Sequence, residues 1–183
     1  MTTPFKWGAE FLVNTTVANG QKEPTITALA NGRFVVAWTD ASQTGGDTSN
    51  FAIRAQVFNA DGSLSGAEFL VNTTSVGQQD SPTITALADG RFVVGWTDFS
   101  QTGGDTSGDA IRAQAFNADG SLSGGEFLVN TTVTSSQSNP AITSLADGRF
   151  MVAWSDFSQT GGDTSGYAIR AQMFNADGSL SGG

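Results

Sequence analysis

The chain repeats itself. Glu10, Glu68 and Glu126 occupy equivalent positions 58 residues apart, and the copies run over residues 10–67, 68–125 and 126–183. A fixed period constrains architecture more than any local signal does. Each copy must be one supersecondary unit that buries its apolar faces against its neighbours. Within a copy, the most informative stretch is Asp89-Gly90-Arg91-Phe92-Val93-Val94-Gly95-Trp96-Thr97-Asp98, matched by 31–40 and 147–156. An Asx-Gly pair tolerates the positive φ of a tight hairpin turn. After it, Phe92, Val94 and Trp96 fall on one face of a strand, and Val93, Gly95 and Thr97 on the other. Both faces are apolar or small, so the strand is expected to be covered on both sides, in a sheet lying between two other sheets.

Four strand signals recur in each copy: Phe69–Asn72, Thr83–Leu87, Arg91–Thr97 and Ala110–Phe116. Short Gly-containing turns at 88–90 and 117–121 join the second signal to the third and the fourth to the next copy. The connections 72–81, which ends at Pro82, and 98–109 are long and polar, and no sustained helical periodicity is present. The fold expected is therefore all-β: a β-propeller of four-stranded antiparallel blades, three per chain, in a single domain over 1–183. From the axis outward a blade would use Thr83–Leu87, Arg91–Thr97, Ala110–Phe116 and then Phe127–Val129, so its fourth strand comes from the following copy. The chain then begins with an orphan fourth strand, Phe11–Val13. Three blades are too few to surround an axis, since rings typically hold four to eight. The expected partner is the chain itself, in a head-to-tail homodimer of six blades closed by strand exchange. A nine-bladed trimer is the less common arrangement. A linear solenoid is the alternative, and it would leave a sheet edge uncovered.

With 8 basic and 17 acidic residues, the net charge of −9 argues against nucleic acid and anionic membranes as partners. No apolar run approaches the roughly 18 residues of a membrane-inserted helix. The first residues lack a signal-peptide core, so an export signal would have to lie outside this chain. There is no Cys and no His, which removes disulfides, thiol nucleophiles and the common catalytic triads. A carboxylate pair could hydrolyse a glycoside. Each loop Asp, however, recurs in nearly identical surroundings, whereas acid and base need different environments. The expectation is that the chain is not an enzyme.

The long loops emerge on one face of a propeller, and long loops on rigid strands commonly carry binding. Asp98, Gln101 and Asp105 lie in one of them, with counterparts Asp40, Gln43 and Asp47 and then Asp156, Gln159 and Asp163. Three readings stay open. The aspartates are candidates to supply oxygens to Ca²⁺, although two carboxylates per loop are few for six to eight ligands. With the glutamine, they could accept hydrogen bonds from a glycan. Or they hold their own Gly-Gly turns by side-chain-to-backbone bonds. No cofactor is required. Trp38, Trp96 and Trp154 could stack on a sugar or pack between blades. Arg54, Arg112 and Arg170 could bind an acidic ligand or pair with a carboxylate of a neighbouring strand. Asn14, Asn72 and Asn130 match the short N-glycosylation pattern.

The consensus Glu-Phe-Leu-Val-Asn-Thr-Thr, Pro-x-Ile-Thr, Leu-Ala-Asp-Gly-Arg-Phe-x-Val-x-Trp, Ile-Arg-Ala-Gln and Phe-Asn-Ala-Asp-Gly resembles repeats of large secreted bacterial proteins of the RTX and surface-adhesin type. The resemblance covers nearly the whole chain. It implies blade-like repeats, an extracellular or cell-surface setting, no enzyme and no established ligand. The nine-residue Gly-Gly-x-Gly-x-Asp calcium repeat is absent, and Gly103-Gly104-Asp105-Thr106 only echoes it. The function expected is a non-catalytic repeat module of a secreted or surface protein, a scaffold or adhesive unit. The alternative is a multivalent carbohydrate-binding lectin with sites between blades on the long-loop face.

Overall fold

The structure is a computed structural model that describes residues 8–30 and 32–182. The described residues form eleven strands and no helix. The first sheet has the order β1 (Gln21–Ala28), β2 (Phe34–Asp40), β3 (Ala52–Phe58), β4 (Phe69–Leu70). The second repeats it with β5 (Gln79–Ala86), β6 (Phe92–Asp98), β7 (Ala110–Phe116) and β8 (Phe127–Leu128). The third holds β9 (Gln137–Ser144), β10 (Phe150–Asp156) and β11 (Ala168–Phe174), without a fourth strand. All pairings are antiparallel. These are the expected propeller blades, and in the first two the outer strand comes from the next copy.

The hairpin between β5 and β6 shows why the turn chemistry was informative. The Leu87 amide donates to the Arg91 carbonyl at 2.8 Å, and Gly90 takes a φ of +90° that a side chain would resist. The first strand of each blade runs longer than expected. It starts at Gln79 rather than Thr83, because a bulge between Asp80 and Thr83 accommodates Pro82, which has no amide to donate. The bulge places Ser81 at φ +53°, and its counterparts Glu23 and Asn139 at +55° and +54°.

The core lies between blades. Val35, Ala37 and Ile53 of the first blade pack on Ile84, Val94 and Trp96 of the second. Val93, Ile111 and Ala113 of the second pack on Val152, Trp154 and Phe174 of the third. Each fully buried Val, Ile or Phe contributes about 1.5–3 kcal/mol. In the middle blade, β6 and β7 are buried along their whole length, as expected for a sheet covered on both sides. In β10, burial alternates with partial exposure, because only one face has a neighbour. Adjacent blades approach most closely through β1, β5 and β9, so these strands line the inner side.

Within its own chain Phe11–Val13 is not a strand, since the third strand it is expected to pair with belongs to another copy. It nevertheless occupies the place of one: Phe11 lies 5.5 Å from Phe58, as Phe69 lies 5.3 Å from Phe116.

Candidate functional site

The loop aspartates singled out in the sequence are occupied by the blades themselves. Asp98 is buried and accepts hydrogen bonds from Arg112 Nε at 2.8 Å, Ser100 Oγ at 2.6 Å and Gln79 Nε2 at 3.1 Å. Asp40 is held by Arg54, Ser42 and Gln21, and Asp156 by Arg170, Ser158 and Gln137. Asp105 accepts from Asn130 Nδ2 at 2.8 Å and from the Ser107 amide at 3.0 Å. Asp47 does the same with Asn72 and Ser49. Asp163 is exposed and caps the Ser165 amide. The arginines complete the pattern. Arg112 also bonds Glu126 at 3.1 Å and the Thr102 carbonyl, and Arg54 bonds Glu68 at 3.3 Å and the Thr44 carbonyl.

Gln43, Gln101 and Gln159 are exposed at loop bends with φ of +55°, +52° and +54°. Trp38, Trp96 and Trp154 are buried, and none of their indole N–H groups has a partner. Trp96 and Trp154 sit inside the cores between blades. Their rings are therefore covered rather than presented to a sugar. Among the described residues, no group of three or more His, Cys, Asp or Glu is placed to hold a metal ion.

A second set of residues lies where the copies differ. At the bulge opening the inner strands, one position reads Lys22, Asp80, Ser138 and the next Glu23, Ser81, Asn139. Just before the third strand, the series is Phe51, Asp109, Tyr167. Each begins a strand at the end of a long loop, so Glu23, Asp80 and Asp109 share the long-loop end of the blades. Glu23 reaches from the first blade to the second: its carboxylate accepts from Thr39 Oγ1 at 2.9 Å and from the Ser81 amide at 3.2 Å. Lys22 Nζ lies 3.2 Å from it.

Electrostatics separates these carboxylates. Burial opposes ionisation of Glu23, but the bonds from Thr39, Lys22 and Ser81 outweigh it and hold the carboxyl below its usual range. Asp80 shifts the other way. Burial raises its pKa, a bond from Ser81 partly offsets this, and the negative charge of Glu23 pushes it further up. Burial also raises Asp109, with repulsion from Asp105 and Asp98 adding to it against a bond from Ser136. The site thus holds an ionised carboxylate beside one that keeps its proton to higher pH. The sequence reading missed these residues because it sought recurring motifs. The signal was in the opposite place, at positions where an otherwise regular repeat changes residue.

No family model matches the chain, and no curated protein matches it. Among solved structures, it is similar to the GH93 alpha-L-arabinofuranosidase of Fusarium graminearum in complex with arabinobiose, with a TM-score of 0.60 and 10% identity over 89% of this chain and 48% of that one. It is similar to the alpha-L-arabinofuranosidase from Lactobacillus brevis at a TM-score of 0.56 and 14% identity, over 93% of this chain and 58% of that one. For the GH43 endo-arabinanase from Bacillus licheniformis, the TM-score is 0.52 and the identity 18%, over 87% and 56%. The chain spans about half the length of the solved chains it matches.

These findings correct three expectations. The RTX and surface-adhesin resemblance gives way, since the propellers that the fold resembles are glycoside hydrolases. Within the consensus that carried it, Glu126, Asn130 and Arg112 bind a blade together and so report blade construction. The same comparisons count against the non-catalytic scaffold and the expected absence of enzyme activity, since solved structures of this fold include an endo-arabinanase and two alpha-L-arabinofuranosidases. The physical objection to an enzyme also falls: it required every carboxylate to recur in the same surroundings, and Glu23 and Asp80 do not.

Proposed function

We propose that this chain forms part of a carbohydrate-active propeller that hydrolyses glycosidic bonds at the inner rim of its long-loop end. The observation that carries this reading is the Glu23–Asp80 pair, two non-repeated carboxylates whose surroundings drive their pKa values in opposite directions. The likeness in fold to two alpha-L-arabinofuranosidases supports it.

In this reading Asp80, protonated to higher pH than an ordinary aspartate, gives its proton to the oxygen of the leaving sugar as the glycosidic C–O bond breaks. Glu23, ionised, faces the anomeric carbon and either takes a proton from the attacking water or attacks directly. Lys22 keeps Glu23 charged while the substrate excludes water. Asp109 adds a negative field that helps Asp80 retain its proton. Polymers and aryl glycosides of arabinofuranose are the first substrates to try.

The test is hydrolysis of an aryl α-L-arabinofuranoside and of arabinan by the intact chain and by Asp80→Asn and Glu23→Gln. Loss of a general acid or base lowers turnover by about 10²–10⁴-fold, and both variants should lose at least the lower figure while unfolding at the parent temperature. An inactive parent, or variants as active as the parent, would refute the reading. Retained glycan binding by Asp80→Asn would separate recognition from cleavage.

A further inference from the structure

The two junctions between blades are built alike. At the first, β4 pairs with β3 through Arg54 with Leu70 and Ala55 with Phe69, and the Val71 amide donates to the Ile53 carbonyl at 2.8 Å. Asn72 accepts from the Ile53 amide and donates to Asp47. Glu68 bonds Arg54 and both the Thr15 and Thr16 amides. At the second junction β8, Val129, Asn130 and Glu126 repeat every one of these contacts.

Each end of the described chain carries half of the same junction. On the third blade β11 has no fourth strand. Ile169 is 77% exposed, whereas its counterparts Ile53 and Ile111 are 0%. Among the described residues, Arg170 has no counterpart of Glu68 or Glu126, and Asp163 has no counterpart of Asn72. On the first blade the complementary half stands ready. Phe11 is already seated on Phe58, and Asn14 bonds the Thr16 carbonyl and Gln21 as Asn72 bonds the Thr74 carbonyl and Gln79. Beside them, a cavity lined by Val13, Pro24, Val36 and Trp38 opens on the face that buries Val94 and Trp96 in the second blade. Ile26 on this face is 63% exposed, while its counterpart Ile84 is 7%.

We propose that these halves join between two copies of the chain. Residues 10–14 of one copy form the missing fourth strand beside β11 of the other. The Val13 amide donates to the Ile169 carbonyl, Glu10 bonds Arg170 with the Thr131 and Thr132 amides, and Asn14 bonds Asp163. Met151, Ala153 and Ile169 of one copy fill the cavity over Val36 and Trp38 of the other, as Val35, Ala37 and Ile53 pack on the second blade. The surfaces fit in charge, Glu10 to Arg170, and in backbone pattern, because the joint reproduces one the chain already makes twice. Exchange in both directions closes a two-fold ring of six blades, within the usual range for propellers. It also removes both open edges.

Light scattering and equilibrium sedimentation at micromolar concentration test this on the intact chain. The expected mass is twice the 18.9 kDa of one chain. Val13→Pro deletes the amide that crosses the joint and should give a monomer that still shows the parent's β-sheet circular dichroism. Glu10→Arg and Arg170→Glu should each be monomeric alone and should form a dimer when mixed, because one joint is then native and the other has its charges exchanged. A parent of single-chain mass overturns the proposal, as does a three-chain mass, a Val13→Pro variant that stays dimeric, or mixed charge variants that stay apart.

Discussion

Glu126 offers the most direct probe of what holds a blade to the loop beside it. Its side chain is 4% exposed. It accepts from the Thr73 and Thr74 amides at 2.7 and 3.0 Å, from their hydroxyls at 2.9 and 2.7 Å, and from Arg112 at 3.1 Å. Glu126→Ala would leave Arg112 and two amides without this acceptor. Arg112 keeps its bond to Asp98, so the loss is that of hydrogen bonds to a charged group, about 1.5–3 kcal/mol. For a chain of this size, each kcal/mol moves the midpoint by about 2–4 °C, so the melting temperature should fall by roughly 3–12 °C. Glu126→Gln keeps the volume but turns an amide group toward donors, and should cost about 1.5–3 kcal/mol, the worth of hydrogen bonds to a charged group.

The pH dependence has a definite sign. Burial would raise the Glu126 pKa, but the bonds from Thr74 and Thr73 outweigh it and hold it below the usual value. A carboxylate with a depressed folded pKa stabilises the fold fully above its unfolded value of about 4.3. That contribution is lost as pH falls through the folded value. The stability gap between the parent chain and Glu126→Gln, measured by urea unfolding followed through tryptophan fluorescence, should stay constant from about pH 7 to 5 and shrink below about 4.3. A gap under about 0.5 kcal/mol at neutral pH, the level of ordinary surface substitutions, would refute the reasoning. So would a gap that ignores acidification.

Two further outcomes follow from local geometry. Gly103 sits at φ +61°, where an added Cβ would lie 2.4 Å from Arg112 Nη2. Gly103→Ala should therefore cost about 1–3 kcal/mol in urea unfolding, and more than Gly66→Ala, where φ is +86° and the space is open. The hydrolytic rate should fall as pH rises through the raised pKa of Asp80 and fall again as pH drops through the lowered pKa of Glu23. Glu23→Gln should remove the acid limb of that profile.

How much of this could be read from the sequence depended on the range of the interaction. The third strand of each blade was placed to the residue, Ala110–Phe116, because its neighbours in sequence define it. The turn before β6 was legible for the same reason, since Asp89-Gly90 carries its own backbone preference. The first strand was cut short at Pro82, because a bulge that tolerates proline depends on pairing with β6 and leaves no local mark. For Asp98 the sequence left several fates open, a strand-to-strand pair with an arginine among them, because its partners Arg112 and Gln79 lie 14 and 19 residues away in sequence and meet it only across the sheet.

The repeat itself also misdirected the search for a site. A residue that appears in every copy is one that every blade needs, and Asp98, Arg112, Asn130 and Glu126 are needed to tie strands and loops together. The bulge supplies the complementary lesson. It gives Glu23, Ser81 and Asn139 the same unusual backbone, with φ of +55°, +53° and +54°, while their side chains differ. The recurring framework aims each of these positions in the same way relative to its own blade. Chemistry can then enter through the side chain alone, and the proposed site draws on this: Asp80 and Glu23, carboxylates of unlike surroundings, come from two adjacent blades.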